Sequence, residues 1–204
     1  MEIYALTDSI LTPTKDLYNV VLELCEAKVG LIQYRNKNAI HDEILLAKIA
    51  LLCKQNGVKF IINDDARLAK KVGADGVHVG KDDFSVLKAR EILGNDAIIG
   101  ASCYDSIQKA IKAQDDGASY AAFGAVFPSP TKPTARPCKL EILSLAKKEL
   151  KIPVCAIGGI NATNIASVAK TGADYAAVIS ALYKNAQIKQ NIATIRSQCY
   201  SNEK

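Results

Sequence analysis

The chain has 204 residues, 49% hydrophobic and 23% charged, with a formal net charge of +5. That length carries one well-buried core and a single domain over 1–204. No apolar run approaches a membrane span, and dispersed lysines with 6% aromatics and no Trp argue against a nucleic-acid surface.

The start, MEIYALTDS, lacks a basic segment followed by an apolar one, so no signal peptide is expected and the expected location is cytoplasmic. Six scattered cysteines (Cys25, Cys53, Cys103, Cys138, Cys155, Cys199) form no C-x-x-C pair. Several fall in apolar segments, which suits reduced, buried thiols better than a disulfide frame or a zinc site.

In chain order, short β-rich runs alternate with longer helical patterns. The expected strands are Ile3–Leu6, Gly30–Tyr34, Lys59–Ile62, Gly76–Val79, Ala97–Gly100, Tyr120–Phe123, Val154–Ile157 and Tyr175–Ile179. The helices between them are Leu17–Ala27, Asp42–Gln55, Asp65–Val72, Ser85–Leu93, Ser106–Asp116, Lys139–Glu149 and Asn161–Lys170. A last helix spans Ala181–Gln198. Parallel strands need crossover connections, so this alternation specifies a parallel sheet. Eight such units predict an α/β fold, a compact (β/α)8 barrel of the TIM type. The other arrangement is an open doubly wound sheet. A dinucleotide site there wants G-x-G-x-x-G after the first strand, where this chain has Thr7-Asp8-Ser9.

A short repeat, Gly73-Ala74-Asp75, Gly117-Ala118-Ser119 and Gly172-Ala173-Asp174, ends helices and opens strands. Glycine takes a left-handed helix stop without a Cβ clash. These turns belong to the strand N-terminal face, where residues serve stability.

Chemistry belongs at the opposite face, and the strand ends there are polar. The second strand ends Gln33-Tyr34-Arg35-Asn36-Lys37 and the third Asn63-Asp64-Asp65. The fourth ends His78-Val79-Gly80-Lys81-Asp82-Asp83 and the fifth Gly100-Ala101-Ser102-Cys103. The sixth leads into Phe127-Pro128-Ser129-Pro130-Thr131-Lys132-Pro133. Three prolines make that segment a stiff loop. Its two hydroxyls and one ammonium suit phosphate oxygens, although Pro and Ser are also ordinary turn residues. Gly158-Gly159 and Ile179-Ser180 follow the seventh and eighth strands, where barrels commonly bind phosphate.

Asp64 and Asp83 end neighbouring strands. Together they offer hard oxygen ligands for Mg²⁺, which takes a couple of carboxylates plus waters and substrate phosphates. Singly, each reads first as a helix N-cap; with Asp65 and Asp82 as the caps, Asp64 and Asp83 stay free. Arg35 and Lys37 bring cations to the same mouth, or form a solvated charge cluster. His78 reads as a barrel-interior histidine rather than a metal ligand, and His41 sits far off at a helix start. Cys103 has no evident base partner, which argues against a nucleophile.

Taken in order, Q-Y-R-N-K at 33–37, I-N-D at 62–64, G-A-D-G-V-H-V-G-K-D-D at 73–83, I-G-A-S at 99–102, G-A-V-F-P-S-P-T-K at 124–132, A-I-G-G-I at 156–160 and V-I-S-A at 178–181 resemble the thiamine-phosphate synthase family. The resemblance runs from about residue 3 to 183. It implies a transferase of thiamine biosynthesis that joins two small phosphorylated substrates, a pyrimidine diphosphate and a thiazole phosphate or its carboxylated form, with loss of pyrophosphate. It implies a dissociative, pyrimidine-cation-like state, which needs a stabilised leaving group more than a strong base.

By motif position, the resemblance assigns Gln33, Arg35, Lys37 and Asn63 to the pyrimidine diphosphate, and Asp64 and Asp83 to Mg²⁺. Ser102 would contact the pyrimidine substrate or its pyrophosphate, and Lys132 the pyrophosphate. Ser129, Thr131, Gly159, Ile179 and Ser180 would bind the thiazole phosphate. Lys132, Ser102 and Arg35 are the expected catalytic groups. No nucleic-acid or membrane partner is expected, and a homo-oligomer is left open. The chain departs from the family pattern at Asn36, often acidic, at Asp65, often Arg, and at Ser129, usually Thr.

Three other readings share the barrel. A thiazole tautomerase has no pyrophosphate leaving group, so it has no need of Asp64, Asp83, Arg35 and Lys132. A catalytically silent phosphate-ligand binder is supported only by Asn36 and Asp65. An indole- or histidine-pathway isomerase explains the Gly-Gly and Ser180 loops but not the paired aspartates.

Overall fold

A computed structural model describes residues 1–36, 40–80, 85–128 and 136–199. Eight parallel strands close into a barrel in sequence order. They are β1 (Glu2–Leu6), β2 (Leu31–Tyr34), β3 (Lys59–Asn63), β4 (Gly76–Val79), β5 (Ile98–Tyr104), β6 (Tyr120–Phe123), β7 (Val154–Ile157) and β8 (Tyr175–Val178). The helices are α1 (Leu17–Glu26), α2 (Glu43–Gln55), α3 (Ala66–Val72), α4 (Val86–Leu93), α5 (Ile107–Asp115), α6 (Leu140–Glu149), α7 (Ile165–Ala169) and α8 (Ile188–Cys199). Pairing of Tyr4 with both Leu31 and Ala177 closes the ring.

Alternation sorts the strand residues into two cores. Ile3, Ile32, Phe60, Ile62, Val77, Ile99 and Phe123 face outward and pack with Val21, Leu24, Leu46 and Ile49 of the helices. Burying each such side chain contributes about 1.5–3 kcal/mol. The inward set is smaller: Tyr4, Leu6, Leu31, Ile61, Tyr120, Ala122, Cys155 and Ala177. Of the buried polar residues, Gln33 (2% exposed) and His78 (9% exposed) lie within strands. Among the described residues no helix is long and apolar enough to cross a membrane.

Three element boundaries differ from the sequence expectation by more than one residue, each for a local reason. Strand β5 runs to Tyr104 rather than Gly100, with a bulge between Ser102 and Tyr104 against β6, so Ser102 lies inside the strand. Helix α7 starts at Ile165 rather than Asn161. The Asn161 carboxamide oxygen there accepts from the Thr163 backbone N–H at 2.8 Å, an Asx turn that competes with helix. Helix α8 starts at Ile188 rather than Ala181, because Asn185 and Ala186 take φ of 54° and 51°, outside the right-handed helical region.

Capping is partly as expected. Asp65 caps α3, accepting from the N–H groups of Arg67 and Leu68 at 2.9 Å. The cap of α4 is Ser85, which accepts from Lys88 N–H at 3.2 Å; the expected cap, Asp82, lies outside the described residues and is not needed for that role.

The Gly-Ala-Asp/Ser repeat has a specific job. Its third residue reaches to the preceding strand and accepts an N–H at that strand's start. Asp75 takes Phe60 N–H at 2.9 Å, Ser119 takes Ile99 N–H at 3.0 Å, and Asp174 takes Val154 N–H at 2.7 Å. The repeat therefore clamps β3, β5 and β7 at the bottom of the barrel, as its expected structural role requires. Asp174 also holds Lys147 Nζ at 2.7 Å. Replacing Asp174 by Ala leaves the Val154 N–H without its acceptor and is expected to cost about 1–3 kcal/mol. Urea unfolding of Asp174→Ala against the parent chain measures that loss.

Candidate active site

Because all eight strands are parallel, their C-terminal ends ring one mouth. Gln33 and Arg35 sit at the end of β2, Asn63 and Asp64 at the end of β3, and Ser102 near the end of β5. Gly159 follows β7, and Ile179 with Ser180 follow β8. The fold brings these predicted residues to one end of the barrel. Lys37, Asp83, Ser129, Thr131 and Lys132 lie outside the described residues.

On the β2 side, Arg35 is tied to the end of β1. Its backbone N–H donates to Thr7 Oγ1 at 2.9 Å, and its guanidinium lies 3.6 Å from the Asp8 carboxylate. Thr7 in turn donates its N–H to the Gln33 carbonyl at 2.9 Å. The other Asp8 oxygen accepts from Ile10 N–H at 3.0 Å and Leu11 N–H at 3.3 Å. Asp8 thus shapes its own loop and orients Arg35. Sequence reasoning noted Asp8 only as the absence of a glycine motif. Next to it, Asn36 Nδ2 donates to the Tyr34 hydroxyl at 3.1 Å.

At β3, Asp64 has a left-handed backbone, φ 66°, uncommon for a residue other than glycine. Its N–H donates to the His78 carbonyl at 2.8 Å, and its carboxylate accepts from Asn63 Nδ2 at 2.5 Å. The side chain is exposed at the rim. A carboxylate with a neighbouring amide is a hard, oxygen-bearing rim, so the donor chemistry fits Mg²⁺. Among the described residues no group of three His, Cys, Asp or Glu could hold a metal. The exposed Asp64 carboxylate could supply one such oxygen ligand, with the other positions taken by further oxygen donors.

Inside the mouth, polar side chains link across the barrel. Gln33 Nε2 donates to the Tyr4 hydroxyl at 2.7 Å, and the Tyr4 and Tyr120 hydroxyls are 2.8 Å apart. Tyr120 Oη lies 2.9 Å from His78 Nδ1, and His78 Nε2 lies 2.9 Å from Ser102 Oγ. Burial pushes both phenols above their ordinary range, so both stay protonated. His78 is an interior histidine, as its place in a strand suggested. Tyr4 and Tyr120 were missed as site residues; their inward register and buried hydroxyls are the signal that finds them. Cys103 is the opposite case: it faces the helix layer, and burial pushes its thiol up to about 12, which suits no nucleophile.

On the far side, the loops after β6 and β7 are laced together. Val126 N–H donates to the Ile157 carbonyl at 2.9 Å, and Phe127 N–H to that of Gly158 at 3.1 Å. Asn161 and Asn164 both donate their side-chain amides to the Gly159 carbonyl, at 3.1 and 3.0 Å. A Cβ at Gly159 would stand 2.3 Å from the Pro128 carbonyl oxygen, so only glycine lets the loops approach this closely. Ile179 packs on the interior core, and Ser180 is exposed beside it.

Comparison with known proteins agrees with this fold. The family model described as thiamine monophosphate synthase matches residues 3–182. The thiamine-phosphate synthase of Thioalkalivibrio sulfidiphilus is 45% identical over 183 residues, covering 89% of this chain and 87% of its own. That of Nitrosococcus oceani is 43% identical over 199 residues, covering 95% and 90%. The solved thiamine phosphate pyrophosphorylase from Pyrococcus furiosus superposes with a TM-score of 0.86 at 36% identity, over 97% of this chain and 94% of that one. A 3-hexulose-6-phosphate synthase, at 19% identity and a TM-score of 0.71, shares the fold alone. With nearly the whole barrel matched by the model and by relatives at this level of identity, the chain belongs to the thiamine monophosphate synthase family.

Proposed function

We propose that the protein is a thiamine-phosphate synthase, which condenses a pyrimidine methyl diphosphate with a thiazole monophosphate and releases pyrophosphate. The observation that carries this reading is 45% identity over 89% of the chain to a thiamine-phosphate synthase. The gathering of Gln33, Arg35, Asn63, Asp64 and Ser102 around one mouth supports it.

In this reading Arg35, held by Asp8, offers its guanidinium to the diphosphate, and Lys37 and Lys132 add two more cations. Ser102 donates its hydroxyl to the departing phosphate oxygen. Gln33 and Asn63 fix the pyrimidine by their amides. Ser129, Thr131, Gly159, Ile179 and Ser180 receive the thiazole phosphate on the opposite side. Such an arrangement separates leaving group and nucleophile across one carbon, and its fixed donors stabilise charge as it develops on pyrophosphate. Mg²⁺ held by Asp64 and Asp83 would neutralise part of that charge. A cytoplasmic setting suits this chemistry, and a single domain over 1–204 is sufficient for it.

Purified protein given both substrates and Mg²⁺ is expected to release pyrophosphate and form thiamine phosphate in equal amounts. Folded protein that binds thiazole phosphate yet forms no product would instead be the silent binder. A second expectation concerns the metal. Asp64→Ala should abolish Mg²⁺-dependent turnover, by about 100-fold or more in kcat, with thiazole phosphate affinity nearly intact. Calorimetry alongside the turnover assay separates these effects, since equal loss of both would make Asp64 a structural residue.

A further inference from the structure

The interior chain Gln33–Tyr4–Tyr120–His78–Ser102 has four links between 2.7 and 2.9 Å. It crosses the barrel from β2 through β1, β6 and β4 to β5. The rings are held as well as the polar atoms. Tyr4 meets Tyr120 edge-on at 5.8 Å, and His78 stacks on Tyr120 at 5.6 Å. Gly100 between them has no substitute: a Cβ there would stand 2.0 Å from the Tyr120 ring and 2.6 Å from His78 Nδ1.

Such a chain has a direction. A carboxamide nitrogen only donates, and a phenol has one proton to give. With Gln33 Nε2 donating to Tyr4, the Tyr4 proton is left for Tyr120 and the Tyr120 proton for His78 Nδ1, the direction in which each phenol both accepts and donates. Nδ1 must then be a bare acceptor. A neutral imidazole with Nδ1 bare carries its proton on Nε2, and that proton faces Ser102 Oγ. Ser102 therefore accepts from within, and its own proton is left to be donated elsewhere. Turning the Gln33 amide by half a turn would reverse every link, making Ser102 a donor to His78 and removing it as a donor to the mouth. The raised phenols keep both tyrosine protons in place under either direction.

We propose that Gln33 sets the direction of this chain, so that His78 is fixed as its Nε2–H tautomer and Ser102 is presented to substrate as a hydrogen-bond donor. Ser102 as the contact to the departing oxygen rests on the proposed synthase reading; the direction of the chain does not. Tyr4, Tyr120 and His78 are positioning residues, acting through Ser102. A donor at Ser102 suits an anionic oxygen, whereas the reversed chain would suit a serine nucleophile, for which a phosphorylated leaving group has no need.

The chain contains two histidines, so ¹⁵N-histidine labelling of the full-length, substrate-free protein gives two ring systems. A His41→Gln variant assigns them. Long-range ¹H–¹⁵N spectra are expected to show His78 with Nε2 protonated and Nδ1 bare. A Nδ1–H tautomer, or protons on both nitrogens, overturns the proposal. Tyr120→Phe cuts the chain beside His78, and Tyr4→Phe cuts it one link earlier. Each should let His78 populate both tautomers and lower kcat roughly tenfold, the worth of about one hydrogen bond. KM for thiazole phosphate should not change. If either variant folds and keeps a single Nε2–H tautomer, Gln33 does not set the direction and the proposal fails. Protein without synthase activity but with the Nε2–H tautomer would retire the functional reading and leave the direction standing.

Discussion

Closure of the barrel is the constraint from which the other features follow. Once Tyr4 pairs with both Leu31 and Ala177, no strand has an edge, and alternate residues of all eight strands share one interior. That interior admits no bulk water among its apolar side chains, so any polar group turned inward must find a protein partner or incur a cost of about 1–3 kcal/mol. Gln33 and His78 are turned inward by the register of β2 and β4. The two phenols between them make both satisfiable, and among the described residues no buried side-chain nitrogen or oxygen lacks a partner. The polar chain is thus a packing solution first. Its direction, and what it presents at Ser102, follow from the chemistry of the groups that solve it.

The two faces of the barrel divide stability from chemistry. At the N-terminal face a repeated Asp or Ser closes the bottom of β3, β5 and β7 with one hydrogen bond each. At the C-terminal face regularity is lost. Asp64 and Tyr104 take left-handed backbones, with φ 66° and 60°, and β5 bulges between Ser102 and Tyr104. Such conformations persist only where the surroundings over-determine them, and they gather at functional sites. Clamping at one end lets the other end depart from ideal geometry without loosening the strands.

Most of the fold was legible because strand length and turn chemistry are local. Gly76–Val79, Tyr120–Phe123 and Val154–Ile157 match their expected spans, each being a short run bounded by glycine or proline turns or a helix stop. The misread ends were those where the backbone departs from a local rule. Ser102 to Tyr104 continue a strand although a polar, small-residue run suggests its end. Asn185 and Ala186 adopt left-handed conformations that no spacing announces. That Gln33, Arg35, Asn63, Asp64 and Ser102 come to one end of the barrel was legible because they sit at or near strand ends, whose order fixes their neighbours. Asp8 and the pair Tyr4–Tyr120 were not, because their partners lie 27 and 116 residues away. Only inward parity, applied strand by strand, would have flagged the tyrosines. The roles of Lys37, Asp83, Ser129, Thr131 and Lys132 still stand on sequence pattern.

The segment between β6 and α6 shows how the two halves of the site can be mechanically one. Its outgoing stem continues the β6–β7 ladder, with Val126 and Phe127 donating to Ile157 and Gly158. Its return is fixed to the same stem: Ala125 donates to the Arg136 carbonyl at 3.2 Å and accepts from Cys138 N–H at 2.7 Å. Gly159 approaches Pro128 so closely that any side chain there would displace the stem. The stem is thus tied to its return at Arg136 and Cys138 and packed on the Gly158–Gly159 turn. A shift of the Gly158–Gly159 turn would therefore move the Val126–Pro128 stem with it, so the turn after β7 and the stem after β6 share a single support.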